Sequence, residues 1–163
     1  FTLKRFKMTT IIINNVEYNS YASVEEADQY LNVKYGSNWS TYDEDKKKLL
    51  LVNATREIDK REYQGVKVDE KQPLKFPRVI AGVQTDENLV KQACIELADG
   101  LALTSSGTGG GTTNLQAIKS MKVGDTDIEF KDDAVLLDPV QAADSIIDDL
   151  LKEYLKGNAQ VWL

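Results

Sequence analysis

Apolar and polar residues alternate along most of this chain with a helical period, and they predict four amphipathic helices. The central one covers residues 43–62, about five turns at 3.6 residues per turn. Thr41 and Glu44 form the capping box predicted to open it, and Gly65 follows it as a stop signal. Its apolar stripe consists of Leu49, Leu50, Leu51, Val52, Ala54 and Ile58.

The helix before it is predicted to begin at a second capping box, Ser23 with Glu26, and to end at Gly36. Its apolar positions are Val24, Ala27, Leu31 and Tyr35. Trp39 lies in the short linker between the two helices. We expect it to be buried as a clamp between them.

The third and fourth helices are predicted over residues 86–104 and from Pro139 to Gly157. Asp138 suits the N-cap of the fourth helix, and proline suits its first position. Cys94 falls on the apolar stripe of the third helix. No histidine exists to activate it, so we interpret Cys94 as a core residue and not as a nucleophile.

β-Structure is predicted at two places. Residues 9–18 are rich in β-branched residues around Asn14-Asn15, which indicates a short strand or a small hairpin. Residues 118–131 are predicted to form a hairpin that turns at Gly124-Asp125. Its predicted cross-strand pairs are Met121 with Ile128, Lys122 with Asp127 and Val123 with Thr126.

Two further segments are predicted to lack helix and strand. Pro73 and Pro77 exclude a helix over residues 72–78, so an ordered extended loop with Leu74 and Phe76 inward is expected there. Residues 104–113 are a flexible low-complexity loop of Gly, Ser and Thr. This loop lacks the Gly-Lys-Ser/Thr sequence of a phosphate-binding loop.

These elements predict a mainly α fold. It would be a small four-helix bundle with a short N-terminal β segment and a projecting β-hairpin arm after the Gly-rich loop. Residues 1–8, with Met8 as an alternative start, would be a basic N-terminal arm or extension. Residues 9–157 would be a single helical domain that includes the arm at 104–131, and 158–163 would be an apolar tail.

The hairpin and the tail are the predicted interaction surfaces, because two strands are too few to be stable alone and exposed aromatic residues often anchor interfaces. The predicted subunit- or portal-contacting residues are Ile118, Met121, Ile128, Phe130, Val161, Trp162 and Leu163.

Composition narrows the chemistry. The 163 residues contain no histidine and one cysteine, which excludes histidine-based triads, histidine zinc ligands and an internal disulfide. We predict no catalytic, cofactor-binding or metal-binding residues and no enzymatic activity. The net charge is −6, so single-stranded DNA is expected to bind weakly at physiological salt.

Several stretches, in this order, resemble tailed-bacteriophage head–tail connector (adaptor) proteins, a family part of which carries the label DnaT-like single-stranded-DNA-binding. The resemblance covers roughly residues 9–155. The stretches are residues 20–31, 54–59, 72–78, 90–98, the hairpin around 123–125, and 147–155.

The resemblance implies a structural virion protein whose subunits form a ring, typically twelve-fold, under the portal. The implied partners are further copies of the chain, the portal protein, a tail-side neck, stopper or tail-terminator protein, and double-stranded genome DNA that passes through the lumen without sequence-specific binding. No membrane and no cofactor is implied. The implied location is the neck of the virion, assembled in the cytoplasm of a bacterial host.

The label in the same resemblance gives an alternative function, a protein that binds single-stranded DNA. Such a protein needs a basic groove with aromatic stacking platforms. The available aromatic residues are Tyr18, Tyr21, Trp39, Tyr42, Tyr63 and Trp162, and basic residues cluster at 4–7, 46–48 and 60–61.

Overall fold

The computed structural model describes residues 6–105, 120–123, 126–129 and 139–157. The four helices in these ranges are α1 (Val24–Leu31), α2 (Glu44–Asp59), α3 (Glu87–Ser105) and α4 (Pro139–Leu151). Short 3₁₀ turns cover Trp39–Thr41 before α2 and Lys152–Tyr154 after α4.

Seven short strands are described, and all of their pairings are antiparallel. β1 (Thr9–Ile13) and β2 (Val16–Ser20) form an N-terminal hairpin. β3 (Val66–Lys67), β4 (Arg78–Ile80) and β5 (Val83–Gln84) form a three-stranded sheet in that order. β6 (Ser120–Val123) and β7 (Thr126–Glu129) form the second hairpin.

The core is built around α2, which packs against α3, α1 and the β1–β2 hairpin. α3 also packs along α4, and a Cβ at Gly100 would lie 3.1 Å from Ile146 Cδ1, so glycine permits this close approach. Trp39, Phe76 and Cys94 are fully buried in this core. The predictions that Trp39 and Cys94 are core residues are confirmed.

The predicted fold class is wrong, because the body is not a helix bundle with a single hairpin. Two small antiparallel sheets, β1–β2 and β3–β4–β5, belong to the body beside the helices. The strands of the second sheet flank the loop predicted over residues 72–78, and of that segment only Arg78 belongs to a strand. Ala81 and Gly82 adopt positive φ and make the tight turn between β4 and β5, and Arg78 donates from its guanidinium to the carbonyls of Gln64 and Gly65.

Several helix ends also differ from the prediction. Asp43 caps α2 by accepting from the Lys46 amide, whereas Thr41 belongs to the preceding 3₁₀ turn. α2 ends at Asp59, before the predicted residue 62. Tyr35 lies beyond the end of α1 and is fully exposed, so it is not part of that helix's apolar stripe.

Predictions that depend on local signals are confirmed. The Ser23–Glu26 capping box has both of its hydrogen bonds. Asn14 and Asn15 adopt φ of 50° and 63°, as the two-residue turn between β1 and β2 requires. The predicted pairs of the second hairpin agree with the register of β6 and β7.

Candidate nucleic-acid interface

The structure separates the candidate aromatic residues into two groups. Tyr21, Trp39 and Tyr63 are at most 4% exposed and therefore cannot stack on a nucleobase. Tyr18 and Tyr42 are partly exposed and lie on the surface of the core. Trp162 lies outside the described residues.

The three buried aromatic residues have structural hydrogen bonds. Trp39 donates from Nε1 to Asp28 at 2.8 Å, and Tyr63 donates to the carbonyl of Ile58 at 2.7 Å. Tyr21 donates to the Asp59 carboxylate, and burial raises the pKa of the Tyr21 hydroxyl well above its ordinary value. Burial also raises the pKa of the Asp59 carboxyl.

The two surface tyrosines each lie against a cation from α2. The Lys46 ammonium nitrogen is 3.9 Å from the centroid of the Tyr42 ring. The Arg56 guanidinium carbon is 5.7 Å from the centroid of the Tyr18 ring. Both separations lie within the range of cation–π attraction. An aromatic ring and a positive charge are thus paired at two places along one helix.

Residues 46, 49, 53 and 56 are three or four apart and therefore share one side of α2. We call this side the outer face of α2, defined by Lys46, Leu49, Asn53 and Arg56, with Tyr18 and Tyr42 beside its two cations. Leu49 lies at the centre of this face, and this residue is 53% exposed. Asn53 donates from its side-chain amide to the Leu49 carbonyl at 2.8 Å.

Local folding explains why the two tyrosines reach this face. β2 packs against α2, and Tyr18 pairs with Ile11 in the middle of the β1–β2 hairpin. Tyr42 follows the 3₁₀ turn directly and packs edge-on against Trp39, with ring centroids 6.3 Å apart. The buried Trp39 thereby fixes Tyr42 at the start of α2.

The remaining lysines near α2 are neutralised by carboxylates. Lys47 pairs with Asp28 at 2.9 Å, Lys48 pairs with Glu44 at 3.1 Å, and Lys60 pairs with Glu57.

Arg61, in the last predicted basic cluster, pairs with Asp144. Within the part of the chain that the structure describes, no carboxylate lies within salt-bridge distance of Lys46 or Arg56. The two cations that lie over tyrosines are therefore available to an external anion.

The predicted interaction residues fall mostly elsewhere. Ile118, Phe130 and residues 161–163 lie outside the described residues. Met121 and Ile128 are paired across β6 and β7, and the surroundings of their side chains are also outside the description. Phe6 and Met8, within the predicted N-terminal arm, pack against the core.

Cys94 and the acidic residues were the candidates for reactive or metal-binding groups, and Cys94 is fully buried. Burial raises the pKa of the Cys94 thiol to about 11, so it is protonated at neutral pH. In these residues, no group of three or more Cys, Asp or Glu side chains could hold a metal ion. None of the described helices is both long and apolar enough to cross a membrane.

Residues 9–163 match a protein family described as "Putative DnaT-like ssDNA binding protein". The chain belongs to this DnaT-like family. No curated protein and no solved structure matches the chain. The description agrees with single-stranded DNA binding, the alternative function, better than with the head–tail connector, which nothing in the comparisons shows.

Sequence reasoning missed Arg56 as part of the DnaT-like chain's candidate site. Its signal was available in part, because residues 46, 49, 53 and 56 are three or four apart and therefore share one side of the predicted central helix. Nothing in the sequence placed Tyr18, 38 residues earlier, beside Arg56.

Proposed function

We propose that this DnaT-like chain binds single-stranded DNA through the outer face of α2. The supporting observation is the two cation–tyrosine pairs, Lys46 with Tyr42 and Arg56 with Tyr18. A base that stacks on either ring takes the place of the cation over that ring, and the displaced ammonium or guanidinium group then pairs with a neighbouring phosphate. Such stacking contributes about 1–3 kcal/mol per base, which is the sequence-tolerant part of single-strand recognition.

The proposed binding is modest and sensitive to salt. The net charge of −6 repels DNA as a whole, and Asp43, Glu44 and Asp45 are exposed beside Lys46. Each phosphate contact to a single strand contributes about −0.7 to the slope of log K against log salt. Two contacts, from Lys46 and Arg56, therefore give a slope of about −1.4.

A fluorescence-anisotropy titration with labelled oligothymidylate of about 20 nucleotides, at about 20 mM salt, tests the proposal. The double variant Lys46→Gln, Arg56→Gln should bind about tenfold more weakly than the unchanged chain. The matched control is Lys71→Gln with Lys156→Gln, which removes the same charge from exposed positions elsewhere. Absence of binding by the unchanged chain, or equal loss in both double variants, would overturn the proposal.

As a second function we propose a non-catalytic virion subunit, a head–tail connector ring under the portal. The ordered resemblance over roughly residues 9–155 supports it. The turn after α1 is also suited to subunit contact, because Val33 and Tyr35 are 86% and 103% exposed. Lys34 and Ser37 hold this turn to Asp99 of α3 at 2.9 and 2.8 Å, so the segment that carries both side chains is anchored to the body.

The proposed partners in this second role are further copies of the chain, the portal protein, a tail-side neck protein and genome DNA in the lumen. Native mass spectrometry and electron microscopy of the chain mixed with portal protein provide the test. We expect the unchanged chain to form a ring. Tyr35→Asp and deletion of residues 158–163 should each abolish the ring, although each variant should still melt cooperatively. A chain that stays monomeric with the portal present contradicts this role.

A further inference from the structure

The two cation–tyrosine pairs of the outer face are held at a fixed separation. Lys46 and Arg56 belong to one uninterrupted helix, Glu44–Asp59. Ten residues at 1.5 Å per residue place the pairs about 15 Å apart along the helix axis. A rigid helix cannot change this distance, so it limits which length of strand engages both pairs.

Nucleotides stacked as in a B-form strand rise about 3.4 Å each, so four or five of them cover about 15 Å. We infer that the outer face of α2 binds a segment of about five nucleotides, with one base at each tyrosine and no preference for base identity. This inference rests on the proposed single-stranded-DNA binding.

The centre of the face explains why base identity should not matter. Leu49 offers an apolar contact to a base or sugar. The Asn53 amide, the side chain best suited to a bidentate contact with adenine, is held against the helix by its hydrogen bond to the Leu49 carbonyl. The two tyrosines read only the π-face that all bases share.

The same geometry separates single strands from duplex. Phosphates of duplex DNA can reach Lys46 and Arg56, but the bases are paired and stacked inside the helix. Neither Tyr18 nor Tyr42 can then stack on a base. Duplex should consequently keep the salt-dependent contribution and lose the stacking contribution.

A length series of labelled oligothymidylates of about 3, 5, 8 and 20 nucleotides tests the footprint at low salt. The association constant, divided by the number of positions at which a five-nucleotide segment fits on the strand, is the affinity per register. It should rise up to about five nucleotides and then stay constant within about threefold. Oligoadenylate of five nucleotides should bind within about threefold of the thymidylate, and duplex about tenfold more weakly.

Removing one stacking position should shorten the footprint. Tyr18→Leu should lower the affinity for the five-nucleotide strand to that for the three-nucleotide strand. Because Tyr18 is partly buried, the thermal melting of the Tyr18→Leu protein must be compared with that of the unchanged chain. Arg56→Gln, at an exposed position, serves as the second variant.

The possible outcomes distinguish the two claims. If the longest strand does not bind, the proposed function fails. If it binds but affinity per register still rises beyond about ten nucleotides, or one base is preferred more than about tenfold, only the footprint is wrong.

Discussion

The inner and outer faces of α2 satisfy their side chains in different ways. The inner face, with Leu51, Ala54 and Ile58, is fully buried against α3 and the β1–β2 hairpin. Its polar Thr55 is buried too, and its hydroxyl accepts from the Tyr21 amide at 3.2 Å. The apolar side chains named here are buried and the Thr55 hydroxyl is hydrogen-bonded within the chain.

The outer face leaves charge and apolar surface in contact with water. Leu49 is half exposed. Lys46 and Arg56 lie over aromatic rings, whereas the neighbouring Lys47 and Lys48 are paired with carboxylates. The comparison shows that one helix can serve the fold with one side and remain available for a ligand on the other. Substitutions on the inner face should therefore lower stability, whereas substitutions on the outer face should leave stability nearly unchanged and alter DNA binding.

The largest effect should come from shortening an inner leucine. Leu51→Ala removes a fully buried side chain and should lower the free energy of unfolding by about 2–5 kcal/mol. Leu49→Ala, two positions away on the outer face, should change it by less than about 0.5 kcal/mol. Urea denaturation of both variants measures the difference. Equal losses would mean that the outer face is part of the core.

A smaller loss should follow removal of one inner hydroxyl. Tyr21→Phe deletes the donor to the partly buried Asp59 carboxylate and the acceptor for the Phe76 amide. The expected cost is about 1–3 kcal/mol, because the buried Phe76 amide then lacks its acceptor and the Asp59 carboxylate keeps only the long hydrogen bond from the Lys75 amide. Tyr18→Phe is the control on the outer side and should cost less than about 0.5 kcal/mol. Chemical denaturation that ranks the two variants in the reverse order would contradict this account.

The N-cap of α2 links stability to binding. Asp43→Ala removes the side chain that accepts from the Lys46 amide at 2.8 Å and should cost about 1 kcal/mol. It also removes a negative charge beside the outer face, so DNA should bind more tightly although the protein is less stable. Asp43→Asn keeps the cap and should tighten binding at nearly unchanged stability. Weaker binding by Asp43→Asn would exclude repulsion by this carboxylate.

The smallest effect concerns pH. Burial raises the pKa of Asp59 above its unfolded value of 3.8, so the folded state binds this proton more tightly. The stability this contributes is present below pH 3.8 and is lost as pH rises through the raised value. The Asp59→Asn protein has no carboxyl at this position, so its unfolding free energy should not fall for this reason as pH rises. Denaturation of both proteins from pH 4 upward should show unfolding free energy falling more for the unchanged chain, and parallel curves would contradict the assignment.

Local signals were enough to predict the parts of the fold that neighbouring residues control. Ser23 with Glu26 and the Asn14-Asn15 turn are examples, because each makes its bonds within a few residues. The β3–β4–β5 sheet could not be predicted in this way. Its outer strands are two residues long, too short for a period, and Arg78 stabilises it through carbonyls more than ten residues away.

The candidate site was predictable only in part for the same reason. The side of α2 that carries Lys46 and Arg56 follows from the helical period. The pairing of Arg56 with Tyr18 depends on how the hairpin packs on α2, which no local pattern encodes. Burial likewise removed Tyr21 and Tyr63 from the set of candidate platforms.

Photocrosslinking to bromodeoxyuridine-substituted single-stranded DNA, with the modified residue assigned by mass spectrometry, tests the central claim most directly. Tyr35 is the built-in control, because it is fully exposed and lies outside the outer face of α2. The account predicts crosslinks at Tyr18 and Tyr42, both less exposed than Tyr35, and their loss at high salt. Crosslinks mainly at Tyr35 would show that exposure alone decides where DNA touches the protein, and would contradict the account.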